Sequence, residues 1–264
     1  MELNYLYGSK ITKEIKEGRA IHESIEDQIN IPIVMQPKSY ADFLYKSLYT
    51  SYVSISNLRS RGKCREVQMY GSANGYKLVG RIDQLELDSG KVVISEDKTK
   101  ASFKLPTEAQ LKTNKIQLLV YRKMLEDIVT GGYGIKNFSV GYSTSNLRLT
   151  EEFIRQLNAM GVEQVLQTVP SISMAFFGAF SRLGALSDTM KLRYLDQITG
   201  DEIKIYTFEY NKEETNEAIK HVLKYWNGER KAAPVPEGER WKCNFCVFFG
   251  KECKVWWQQK ELDA

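Results

Sequence analysis

The chain has 264 residues, 42% of them hydrophobic and 27% charged, a composition and length that suit a folded chain with a sizeable core. Its four cysteines are too few and too unevenly placed for a secreted disulfide scaffold, with Cys64 alone and Cys243, Cys246 and Cys253 crowded near the C-terminus. The net charge of +4 permits a polyanionic partner without demanding one. No apolar stretch approaches the roughly 20 residues that span a bilayer. The segment Met1-Glu2-Leu3-Asn4-Tyr5-Leu6 carries no signal-peptide or Arg-rich transit pattern. These features lead to the expectation of an intracellular protein with no membrane partner.

The first expected helix runs from Ile11 to Asn30, with Ile15, Ala20, Ile21, Ile25 and Ile29 as an apolar stripe. It carries Gly18-Arg19-Ala20-Ile21-His22, and His22 is one of only two histidines. Taken alone, a helical histidine is more often structural than a ligand. Pro32 and Pro37 interrupt the chain before a second helix, Ser39 to Leu58. A basic turn, Arg59-Ser60-Arg61-Gly62-Lys63-Cys64-Arg65, then leads into a strand at Glu66 to Tyr70.

Gly80 to Lys100 reads as a hairpin turning at Asp88-Ser89-Gly90. The two-residue side-chain period puts Val92, Ile94, Glu96 and Lys98 on one face of its second strand. A turn at Ser89 brings Asp83, in Gly80-x-x-Asp83, level with Glu96. Two carboxylates and a lysine at one place can bind a hard divalent cation and activate a water. The competing reading is a surface hairpin with ordinary charge pairs.

Pro106-Thr107 marks a helix start, with Thr107 as its cap and the helix running to Ile128. Gln117 and Tyr121, four residues apart, share one side of it. Tyr133 to Tyr142 reads as a strand, and Thr150 to Gln167 and Ser171 to Phe180 as helices. Ala179 to Leu195 carries no legible pattern, Ile203 to Tyr210 alternates as a late strand, and Glu213 to Trp226 is an amphipathic helix. The C-terminal Cys243-x2-Cys246-x6-Cys253 cluster, set among aromatics, has the spacing of a structural metal or cluster site. Such a site needs four ligands, and the fourth is Cys64 or a residue other than cysteine.

Gly-x-x-x-His, Gly-x-x-Asp, Glu-x-Lys, Gln-x-x-x-Tyr and three C-terminal cysteines follow one another in order. This order resembles the RecB-like, iron–sulfur branch of the PD-(D/E)xK nuclease superfamily, and more closely the exonuclease V family. The resemblance is carried by Arg65-Glu66-Val67, Gly80-Arg81-Ile82-Asp83, Glu96-Asp97-Lys98-Thr99-Lys100 and Leu105-Pro106-Thr107-Glu108-Ala109-Gln110. It continues through Gln117-Leu118-Leu119-Val120-Tyr121, then Tyr225-Trp226-Asn227-Gly228 and Trp241-Lys242-Cys243.

It implies an α/β fold: a restriction-endonuclease-like PD-(D/E)xK core whose mixed central sheet is flanked by helices and closed by a cysteine-cluster clasp. A single nuclease domain over 1–264 would comprise N-terminal helices (1–60), catalytic core (61–145), helical insertion (146–200) and a final strand, helix and cluster (201–264). The implied activity is a metal-dependent single-stranded DNA exonuclease releasing short oligonucleotides from 5′ ends in DNA repair or genome maintenance.

By the same resemblance, Asp83, Glu96, the Asp97 carbonyl and His22 hold Mg²⁺ or Mn²⁺. Lys98 orients or deprotonates the attacking water and stabilises the transition state, while Gln117 and Tyr121 position Lys98 or the DNA backbone. Arg61, Lys63, Arg65, Arg81 and Lys100 are the candidate nucleic-acid contacts. Cys243, Cys246 and Cys253 would hold a [4Fe–4S] cluster. The family's first cluster cysteine precedes the Gly-x-x-x-His helix, whereas no cysteine of this sequence precedes Cys64. A shortened N-terminus, an incomplete cluster or substitution by Cys64 would each account for that difference. The remaining expectations are a monomer, a single-strand-binding protein as partner, and a place in nucleus or mitochondrion. Two alternatives stand beside this reading: a non-catalytic, zinc-stabilised DNA-binding module, and a RecB-like nuclease of CRISPR-associated type.

Overall fold

A two-residue turn with both φ angles positive matches the right-handed twist of paired strands, and the sheet of this protein is built on two of them. The computed structural model describes residues 33–100 and 105–231, with individual residues between 17 and 30 and between 235 and 253. Asn74-Gly75 (φ 49° and 83°) joins β1 (Lys63–Ala73) to β2 (Tyr76–Asp88), and Ser89-Gly90 (φ 51° and 80°) joins β2 to β3 (Lys91–Lys100). The second turn fixes the expected register: Asp88 faces Lys91 and Leu85 faces Ile94.

The five-stranded sheet has the order β1-β2-β3-β4-β5, with β4 at Thr189–Asp196 and β5 at Glu202–Glu209. Every neighbouring pair is antiparallel except β3 and β4, which run parallel. A parallel pair needs a long crossover, and the helices between residues 101 and 188 supply it. The result is a mixed α/β fold with a central sheet flanked by helices.

Helix α1 (Tyr40–Arg61) starts at a Ser39 capping box and ends at Gly62 in the left-handed region. Helix α2 (Glu108–Val129) starts at a Thr107 capping box, as expected, and packs across β1 to β4. After α3 (Ile135–Tyr142) and α4 (Glu151–Ala159), α5 (Val169–Phe180) packs against α1. Helix α6 spans Lys212–Trp226. Among the described residues no helix is long and apolar enough to cross a membrane.

The chain divides into two compact units, Lys13–Ile219 and Met1–Thr12 with Lys220–Ala264, and the whole sheet belongs to the first.

Three expectations are corrected. The segment around Phe138 is helix, not strand: Phe138 and Tyr142, one turn apart, stack at 4.6 Å, and Phe138 meets Tyr70 and Phe177 at 4.9 and 5.5 Å. Packing on one helical face overrides the β-propensity of a short apolar run. The helix from Thr150 stops at Ala159, before Gly161 at φ 72°, and only a 3₁₀ turn at Gln164–Leu166 follows. The patternless segment ending at Leu195 holds β4, whose Met190, Leu192 and Tyr194 are buried at period two. Of the helix expected over Ile11 to Asn30, the described positions Glu17, Gly18, Ala20, Ile21, Ser24, Ile25 and Ile29 are helical, and His22 lies outside the described residues.

Phe176 is fully buried at the centre of the aromatic core, in contact with Tyr70, Phe177 and Phe180. Phe176→Ala is therefore expected to cost about 3–5 kcal/mol, read as a lowered denaturant midpoint. A change below about 1 kcal/mol would place the core elsewhere.

Candidate active site

The register that the Ser89-Gly90 turn imposes runs only as far as Gln84 opposite Ser95. Beyond that rung β3 has no registered pairing with β2, while its pairing with β4, which begins at Ser95 opposite Lys191, continues with Glu96 facing Leu192 and Asp97 facing Arg193. At the point of parting, the Asp97 N–H donates to Asp83 Oδ2 at 2.7 Å. The Asp83 carboxylate stands in for a missing ladder acceptor, and this holds it beside Glu96. Opposite Asp83 the partner strand is also irregular, since Glu66 has φ 52° and the register passes from Arg65 opposite Gln84 directly to Val67 opposite Ile82.

Glu96 and Lys98 share a face of β3, and α2 lays Gln117 and Tyr121 over them. Lys98 Nζ donates to Glu96 Oε1 at 2.7 Å and to Gln117 Oε1 at 3.1 Å. Gln117 Nε2 donates to the same Glu96 oxygen at 2.5 Å and to the Tyr121 hydroxyl at 3.2 Å. Among the described residues the other carboxylate oxygen, Glu96 Oε2, is buried without a hydrogen-bond partner. Gly80 allows α2 to come this close, because a Cβ there would lie 2.5 Å from Tyr121 Cε1.

Burial, and then repulsion from Asp83, push the Glu96 carboxyl up to about 7. A like charge in a partly desolvated site disfavours the second carboxylate. For Lys98, burial alone would lower the ammonium, but the Glu96 carboxylate outweighs it and holds the group above its ordinary value. Lys98 is thus kept as a cation and donor, which makes it a poor proton acceptor.

Asp83, Glu96, Lys98, Gln117 and Tyr121 converge as the sequence reading expects. Asp97 follows on the strand, but its side chain points to the opposite face, where it accepts from Arg65 Nη1 at 2.7 Å and from Arg193 Nε at 2.8 Å. Arg65 is therefore not an available nucleic-acid contact: it is 0% exposed, because strand alternation turns it inward at the end of the basic run. Arg81 is exposed and pairs with Glu66 at 3.3 Å, while the Lys100 ammonium lies 5.5 Å from the centre of the Tyr194 ring. Arg61 and Lys63 are exposed, and Arg61 donates to the Ile29 carbonyl at 2.6 Å. Arg193 and Gln84 were not legible as site residues; for Arg193 the available signal was the alternation of apolar and charged residues in Met190-Lys191-Leu192-Arg193-Tyr194.

Cys64 is buried in the core, and burial pushes its thiol up to about 12, which disfavours the thiolate that a metal needs. Among the described residues no three His, Cys, Asp or Glu side chains are gathered as a metal-holding group. Their local backbone is tight, with the Cys246 N–H on the Cys243 carbonyl and a bridge between Phe249 and Cys253.

The family model "Exonuclease V - a 5' deoxyribonuclease" matches residues 1–92, 86–177 and 176–258. The chain is similar to exonuclease V of Danio rerio, 24% identical over 250 residues that make up 89% of this chain and 60% of that protein. It thus spans about three fifths of that relative's length. The crystal structure of SSO0001 is a remote likeness, with TM-score 0.36, 14% identity, and coverage of 87% of this chain and 93% of that one.

If the Tyr121 ring fills the space that Gly80 leaves, Gly80→Ala and Tyr121→Ala should couple. In denaturant unfolding the double variant is expected to depart from additivity by roughly 0.5–3 kcal/mol. Additive costs would remove the contact from the site's construction.

Proposed function

The chain belongs to the exonuclease V family, and from that premise we propose that it is a metal-dependent exonuclease acting on single-stranded DNA. In this reading it works from 5′ ends, releases short oligonucleotides and serves DNA repair.

The observation that carries the proposal is the unpartnered, buried Glu96 Oε2 beside Asp83. Two carboxylates that repel one another, one with an orphaned oxygen, form a donor set for a hard cation. Asp83, Glu96 and the Asp97 carbonyl would hold Mg²⁺ or Mn²⁺, with His22 as a further ligand. Bound there, the ion supplies charge neutralisation at the scissile phosphate and an acidified water.

The chain's own residues do the rest. Lys98, kept charged by Glu96, donates to the phosphate oxygen on which negative charge builds up. Gln117 bridges Lys98 and Glu96 and so fixes their spacing, and Tyr121 holds Gln117 in turn. Arg81 and Lys100 would contact backbone phosphates. The proposal does not include Arg65.

An iron–sulfur cluster on Cys243, Cys246 and Cys253 belongs to the same reading, and its support is the family and the Cys-x2-Cys spacing alone. Cys64 has no part in it. Anaerobically purified protein is expected to contain iron and sulfide and to lose both in Cys243→Ala. Zinc in their place would favour a structural metal instead.

Digestion of end-labelled single strands tests the nuclease reading. With Mg²⁺, 5′-labelled strands should give short labelled products, and Asp83→Ala should fall to background. Lys98→Met should lose about 10²–10³-fold in kcat while still binding the metal. Digestion by Asp83→Ala at the wild-type rate would remove the site, and short labelled products from 3′-labelled strands alone would reverse the polarity.

A further inference from the structure

Directly behind the two carboxylates, on the back of the sheet, lies a buried cluster that the proposed chemistry does not use. Asp97 Oδ2 accepts from Arg65 Nη1 at 2.7 Å and from Arg193 Nη2 at 2.8 Å, and Oδ1 accepts from Arg193 Nε at 2.8 Å. Gln84 Oε1 accepts from the same two arginines, at 3.2 and 3.1 Å. The four residues come from β1, β2, β3 and β4, so one cluster ties four consecutive strands together.

Stability is a weak explanation for it. Two guanidiniums face one carboxylate, and among the described residues Arg65 Nε and Nη2 are buried with no acceptor. Burying ion pairs with unsatisfied donors is often less favourable than apolar packing of the same volume. What the cluster does provide is geometry. Gln84 is the residue after Asp83, and Asp97 is the residue after Glu96, each pointing away from its neighbour. The β2–β3 ladder ends at Gln84 and Ser95, so backbone pairing brings Asp83 and Glu96 level but stops one residue short of them.

We propose that Arg65 and Arg193 are positioning residues that clamp Gln84 and Asp97 on the back of the sheet. The clamp sets the spacing of Asp83 and Glu96 on the front for a divalent cation. Asp97 transmits the constraint twice, through its clamped side chain and through its N–H on Asp83. The inference rests on the metal-site reading of Asp83 and Glu96, and its test keeps the two apart.

Mn²⁺ binding to the full chain, followed by electron paramagnetic resonance without DNA, is the readout, with melting temperature alongside. Arg193→Lys keeps the charge but loses the planar fork that engages both Asp97 oxygens. It is expected to weaken Mn²⁺ binding about 10-fold or more, as loss of a group orienting a metal ligand does. Arg122→Lys is the control, a second buried arginine, which holds the Ser187 carbonyl and Asp188 at 2.9 and 3.3 Å. It should lower the melting temperature and leave Mn²⁺ affinity unchanged. Gln84→Met removes the shared acceptor without removing a charge, and it gives the same reading if Arg193→Lys does not fold.

Wild-type affinity in the folded clamp variant, or equal weakening by Arg122→Lys, would overturn the clamp and leave the site intact. Absence of Mn²⁺ binding by the wild type, or unchanged binding by Asp83→Asn, would bring down the metal site and the clamp with it.

Discussion

A single hydrogen bond, from the Asp97 N–H to Asp83 Oδ2, closes the gap where β2 and β3 part. Strands must separate there to leave room above the sheet, yet separation would also move the two carboxylates apart. A side-chain acceptor in place of a backbone one resolves the conflict, because it satisfies a buried N–H and aims the carboxylate in the same stroke. At the last rung Ser95 is paired with Gln84 on one side and Lys191 on the other, and beyond it only the β4 side continues.

The charges around this bond are arranged in two layers. In front, Asp83 and Glu96 repel each other, while Lys98 and Gln117 satisfy only one of the Glu96 oxygens. Behind, Asp97 is surrounded by two guanidiniums. Period-two alternation separates the layers: neighbouring acidic residues of one strand serve opposite faces, and Glu96-Asp97 is not one acidic patch.

Much of the front layer was legible. Ser89-Gly90 is a turn of fixed length, so the alignment of Asp83 with Glu96 follows by counting, and the strand pairing of Asp88 with Lys91 agrees. The placing of Gln117 and Tyr121 on one side of a helix follows from their four-residue separation. The element at Phe138 was less so: it lies in a short apolar run that fits strand or helix equally, and its aromatic partners come from distant segments. Arg65 was misread because a run of basic residues looks uniform in sequence, whereas its last member already belongs to β1 and points inward.

Local rules are read from neighbours in the chain, and they determined the hairpin, the capped starts of α1 and α2, and the shared faces of Glu96 with Lys98 and of Gln117 with Tyr121. The tertiary structure alone decided what lies behind those residues. Arg65 and Arg193 are separated by well over a hundred positions, yet they meet on Asp97 because β1 and β4 flank the hairpin from opposite sides. No sequence period links such residues. Their meeting depends on strand order and on the direction of the β3–β4 pairing, and both were settled by how the intervening helices pack.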